Sequence, residues 1–363
     1  MKAHAMRLLV LVCASILAVP AAANAAGGTE ARERAVVAAF VDGYARPAYG
    51  RLHDAASALQ AAAVRYCANP GEATRDGLDH AFGDVVTAWA HVDFLRIGPA
   101  TQNARLERFA FSPDPRGFVE RQLRPLLAGS EGEAIDLAGL AGRSAAVQGL
   151  PAFERLLMVD VSADTADLPR RCRLGGLIAA NLEMIAAELD AGWASADGIA
   201  RALTTPGPHN AHYRSPAEGA TEVLKAALTA VEQTRDIAIA PALGTTPEAA
   251  KPNRLPFARS GFAVAYLSAS VSAVGGLILA SGLADDLSAD DAWAKNSVLF
   301  ELRNAANTLA GLSGPPEALV REEPGRGKLN YVRIALGSVR DTLAGPVAEG
   351  LGLTVGFNAL DGD

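Results

Sequence analysis

Between Val147 and Leu157 the chain reads Val-Gln-Gly-Leu-Pro-Ala-Phe-Glu-Arg-Leu-Leu, a segment that combines a turn, a helix start and one acid. Gly149 can take backbone angles that other residues avoid. Pro151 suits the first turn of a helix, where its missing N–H costs nothing. Glu154 then lies near that helix's N-terminus, where the dipole favours a carboxylate. Phe153, Leu156 and Leu157 are spaced to bury the opposite face. Such an acid can anchor a polar ligand, join a metal's ligand set or serve as a general base. It can equally bond backbone amides or pair with an arginine and only hold the turn.

Little else in the chain has the spacing of a chemical site. There is no His-Glu-x-x-His, no Cys-x-x-Cys, no nucleotide-binding glycine loop and no Gly-x-Ser-x-Gly. Beyond the N-terminal segment the histidines are His53, His80, His91, His209 and His212. His209 and His212 stand three residues apart, but beside Pro206 and Pro208, so they read as loop residues rather than a helical metal pair. His80 and His91 are close to three helical turns apart and have no partner motif.

The elements that would carry Glu154 read as helices. Half of the residues are hydrophobic but only 6% are aromatic, and alanine makes up much of the difference. Alanine loses no side-chain entropy in a helix. Leu52, Leu59, Ala63 and Tyr66 share a helical face, with Pro47 expected to kink or restart that helix. Leu177, Ile178, Leu182, Ile185 and Leu189 share another. Ser215-Pro216-Ala217-Glu218 predicts a capped helix start with a capping box, followed by the buried stripe Val223, Leu224, Leu228 and Val231. The uncharged run from Gly261 to Ala284 is rich in Ala, Ser and Gly, which suits a closely packed buried helix better than a membrane span. Thr205-Pro206-Gly207-Pro208 reads as a linker, and Gly244 to Pro256 as a second break. The expected organisation is a signal peptide over 1–25, an N-terminal helical-bundle domain over 26–205 and a C-terminal one over 206–363.

Lys2 and Arg7 before the apolar stretch Leu8 to Val19, with Ala23-Asn24-Ala25 after it, have the pattern of a secretory signal. Cys13 sits inside that apolar stretch, with Val12 where a small residue would be wanted, which argues against lipidation. Removal of this segment takes the net charge from −7 to −9. That balance argues against nucleic-acid partners. Cys67 and Cys172 remain, and an even count in an exported chain suggests one disulfide. Closing so long a loop is worth about 4–5 kcal/mol in the chain-entropy model.

Several segments together carry a family resemblance. Gly149-Leu150-Pro151-Ala152-Phe153-Glu154 resembles the Gly-x-His-x-x-Glu motif of imelysin-like proteins. Trp89 through Arg96-Ile97-Gly98-Pro99 is similar to the family's Trp…Gly-Pro stretch, and Phe111-Ser112-Pro113-Asp114-Pro115-Arg116 to its Trp-Pro-Asp-x-Arg segment. Arg171-Cys172 with Ala179-Ala180-Asn181-Leu182, His212-Tyr213-Arg214 with Glu218, and the ending Gly352 to Asp363 follow in family order. The resemblance implies an all-α fold of two helical-bundle domains, each around a four-helix bundle, with the motif near their interface. It also implies export to the periplasm or attachment at a membrane, and a tie to iron acquisition. Pro151 stands where the motif has His, as in a subgroup of Gly-x-Pro-x-x-Glu form, and one carboxylate does not make a metal site.

The expected function is therefore a non-catalytic binding or accessory protein of iron or metal acquisition. Its ligand would be a metal or a small anion, held at Gly149, Pro151 and Glu154 with Arg96, Asp114 and Arg116 nearby. The metal and cofactor are undetermined, iron being the one the family implies. Two other readings are a metallopeptidase, as the family's first description suggests, and a helical module docking on an inner-membrane transporter.

Overall fold

The structure, a computed structural model, describes residues 20–129, 135–159 and 166–353. The apolar stretch Leu8 to Val19 with Cys13, and the family-like ending from Thr354 onward, lie outside the described residues. Among the described residues every regular element is helical.

The helices that build and position the site are α1 (Pro20–Phe40), α2 (Arg46–Ala68), α3 (Glu72–Ala90), α4 (Phe118–Ala128), the short α5 (Leu150–Phe153), α6 (Leu168–Ala194), α7 (Pro216–Glu232), α8 (Ala263–Ser281), α9 (Trp293–Ala310) and α10 (Gly325–Thr342). Between α1 and α2 the backbone passes through a π turn at Val41–Ala45, and Pro47 sits in the first turn of α2. Leu52, Leu59, Ala63 and Tyr66 all face the core, as their spacing predicts. α2 packs between α3 and α6, and Cys67 bridges to Cys172 with a Cα–Cα separation of 5.5 Å. The bridge ties the last turn of α2 to the start of α6.

α1 packs on α7 and α8, while α9 pairs with α10. α8 is long and apolar enough to cross a membrane, yet just over half of its apolar window is buried inside the protein (56%) against its neighbours. Its small residues let α3, α7 and α9 approach. Ser215 caps α7 by accepting from the Glu218 N–H at 3.4 Å. The return bond differs from a capping box: the Glu218 carboxylate accepts from the Arg214 N–H at 2.7 Å, one residue before the cap.

Candidate functional site

Glu154 opens a π turn (Glu154–Met158) that continues directly from α5. Its placement depends on a close approach one turn earlier. A Cβ at Gly149 would lie 2.3 Å from the Phe109 carbonyl oxygen and 2.6 Å from that of Arg108. Both are backbone atoms that cannot yield. The φ of Gly149 is −120°, open to any residue, so the glycine is required by proximity and not, as its sequence position suggests, by unusual backbone angles. The segment is also held from α6. Asn181, fully buried, donates to the Gln148 carbonyl at 3.0 Å, and Arg108 donates to the Gln148 side chain at 2.8 Å. Arg171 reaches the carbonyls of Arg155 and Leu156 at 3.3 and 3.4 Å.

The Glu154 carboxylate is buried and meets a loop more than a hundred residues further on. Ser260 donates its hydroxyl to Glu154 Oε1 at 2.6 Å and its N–H to the same oxygen at 3.1 Å. The helix start alone does not satisfy this acid. Aromatic packing sets the match: Phe82 of α3 stacks on Phe153 (5.8 Å between ring centres) and meets Phe257 and Phe262 edge-on (6.0 and 5.5 Å). One ring thus joins the helix that carries Glu154 to the loop that carries Ser260. Phe257 holds a φ of +53°, a conformation costly for a bulky side chain. Burial pushes the Glu154 carboxyl above its ordinary range, opposed by the Ser260 bonds and by the charges of Arg155 and Arg259.

In front of Glu154 opens a cavity of about 630 Å³. Four stretches wall it: 111–119 before and into α4, 151–155, 236–241 after α7, and 251–259. The Gly244 to Pro256 break thus supplies much of the wall. Asp114 lines the cavity and caps α4, its two oxygens accepting from the N–H groups of Phe118 and Val119 at 2.8 and 2.9 Å. Asp236 on the opposite wall is paired with Arg235 at 2.7 Å. All three acids in the wall are therefore engaged. Most of the cations are not. Arg155 reaches Glu120 at 2.8 Å, but burial and then the neighbouring Arg259 guanidinium push its pKa down. The side chains of Lys251, Arg254 and Arg259 line the cavity with no hydrogen bond or ion pair among the described residues.

The remaining sequence candidates separate. Arg116 is exposed and lies off the cavity wall. Arg96 lines a smaller chamber beside the cavity, with Asp93, Gln233 and Tyr266. Asp93 is buried there and accepts the Tyr266 hydroxyl at 2.6 Å, and burial pushes its carboxyl up to about 7. Asp93 carried a sign in the sequence, as a lone acid in the apolar run Val92 to Leu95. Tyr266, Gln233, Ser260 and the three loop cations carried none. His209 and His212 are exposed in an irregular segment, as expected, and His80 is exposed while His91 is half-buried.

A family metal would need ligands beside Glu154. Pro151 has none to offer, Oε1 is occupied by Ser260, and among the described residues no three His, Cys, Asp or Glu side chains group to hold an ion. The residues present do not fit an all-protein metal site.

The fold is shared with solved proteins. An imelysin-like protein from Psychrobacter arcticum 273-4 superposes with a TM-score of 0.75 at 19% identity, over 90% of this chain and 98% of the other. A candidate iron-regulated protein A precursor from Parabacteroides distasonis ATCC 8503 gives 0.67 at 15% identity, over 89% and 95%. No curated protein matches the sequence. The family model for imelysin, peptidase M75, matches residues 45–339. With that match spanning most of its length, the chain belongs to the imelysin family.

Proposed function

We propose that this protein is an exported, non-catalytic binding protein of iron or metal acquisition, whose cavity takes an anionic ligand and receives metal only as cargo within that ligand. The observation that carries the reading is the charge imbalance of the cavity wall. Its acids are committed to Ser260, to backbone N–H groups and to Arg235, whereas the side chains of Lys251, Arg254 and Arg259 make no hydrogen bond or ion pair among the described residues. Guanidinium groups in such a setting suit carboxylates, which they bind with two parallel hydrogen bonds. The volume lies within the roughly 300–1,000 Å³ of small-molecule sites. The iron connection rests on the family and on the description of the Parabacteroides relative as iron-regulated.

On this reading residues 26–205 and 206–363 form the two helical halves that meet at the cavity, and the segment over 1–25 directs export to the periplasm. Delivery to an inner-membrane transporter is the step such a protein would serve. Calorimetric titration of the purified protein with citrate, ferric citrate and ferrous iron tests the binding claim. Heat is expected for citrate and its ferric complex and none above dilution for ferrous iron alone. Heat from bare iron, with none from either form of citrate, would reverse the assignment.

A further inference from the structure

The chamber beside the cavity has a volume of about 100 Å³, several times the roughly 10–15 Å³ that one water needs. It shares Ser112, Pro113, Ile237, Arg254, Pro256 and Phe257 with the outer cavity, so the two adjoin. Its polar wall is only partly satisfied. Tyr266 donates to Asp93 at 2.6 Å, and Gln233 Nε2 donates to the Tyr266 oxygen at 3.5 Å. That leaves, among the described residues, Gln233 Oε1 as a buried acceptor with no donor and Arg96 Nε as a buried donor with no acceptor. Unmet groups of this kind are uncommon in folded proteins and destabilise until a partner arrives.

The partner's chemistry follows from the two vacant roles. A hydroxyl both donates and accepts, so it offers what each of the two atoms lacks. A methyl group would satisfy neither. A second carboxylate would meet the acids Asp93 and Glu107 on the same wall. Arg254 lines both compartments, so a carboxylate held by it leaves the rest of a compact ligand beside the chamber. We infer that the chamber is a hydroxyl subsite, and that the ligand class is a small hydroxycarboxylate with its carboxylate on Arg254 and its hydroxyl between Gln233 Oε1 and Arg96 Nε. This rests on the reading of the outer cavity as an anion site.

Malate and succinate differ by one hydroxyl and make the test. Calorimetry on the full chain is expected to show malate binding at least about tenfold tighter, because a site built to bond a hydroxyl rejects the analogue without it. Gln233→Met, and Arg96→Lys with its charge kept and its Nε–H lost, should each bring the ratio of malate to succinate affinity down to about one. Equal or weaker binding of malate by the unaltered protein overturns the subsite and leaves the outer anion site standing. Heat from neither acid overturns both. The comparison of the two acids on unaltered protein does not depend on any variant folding.

Discussion

The α2–α3–α6 bundle and the cavity wall are built on opposite terms. In the bundle, buried positions are almost all apolar, from Leu52 and Leu59 to Leu182, Ile185 and Leu189, and a disulfide fixes two of the helices. Its stability comes from burial and close packing. The walls of the cavity and its side chamber bury Glu154 and Asp93, hold Phe257 at positive φ and leave Gln233 and Arg96 each with an unmet atom among the described residues. Each of these features costs stability, and together they cluster where a ligand would sit. The bundle supports the strain of the wall, and the two regions should therefore answer mutation differently.

The largest effect is expected where they touch. Gly149→Ala drives a Cβ into two backbone carbonyls, so relief requires moving the segment that carries Glu154. A loss of about 3 kcal/mol or more is expected, at the upper end of single substitutions, and denaturant unfolding measures it. A loss below about 1 kcal/mol would mean that the segment is free to shift. Next comes the staple. Cys67→Ala with Cys172→Ala should cost about 2–5 kcal/mol and lower the Tm, with citrate binding kept below the new transition. Binding lost at temperatures where the variant is still folded would erase the distinction between support and site.

A smaller effect, of pH, belongs to the buried acids beside the cavity alone. The Asp93 carboxyl is pushed up to about 7 from an ordinary value of 3.8. The folded protein therefore holds this proton more tightly than the unfolded chain. The resulting stabilisation is complete below about pH 4 and is lost as pH rises through about 7. Glu154 shifts in the same direction. Thermal unfolding should accordingly show a Tm that falls between about pH 5 and about pH 8, and Asp93→Asn should flatten that fall. An unchanged slope in the variant would place the titration elsewhere.

Legibility follows the same division. The helices could be read because apolar spacing is a local property, and Leu177 to Leu189 fall on α6 as their period requires. The disulfide followed from counting cysteines. The wall could not be read in this way, since Glu154 finds its partner 106 residues away and no spacing rule connects it to Ser260. Arg254 and Arg259 look like ordinary loop cations until the fold shows that the nearby acids are already engaged. Gly149 was identifiable as special, but for a different physical reason, because closeness to Phe109 and Arg108 exists only in three dimensions. Asp114 and Arg116 stand two residues apart, and only Asp114 reaches the cavity, since capping α4 turns it inward.

The smallest expected effect on stability is also the most direct test of the anion site. Arg254 and Arg259 are exposed and their side chains make no ion pair among the described residues, so Arg254→Ala with Arg259→Ala should leave the Tm within a degree or two of the parent, about what a surface change produces. Citrate affinity measured by calorimetry on that variant should fall about tenfold or more, because two guanidinium contacts to carboxylate are lost. An affinity equal to that of the unaltered protein would show that these cations do not hold the ligand.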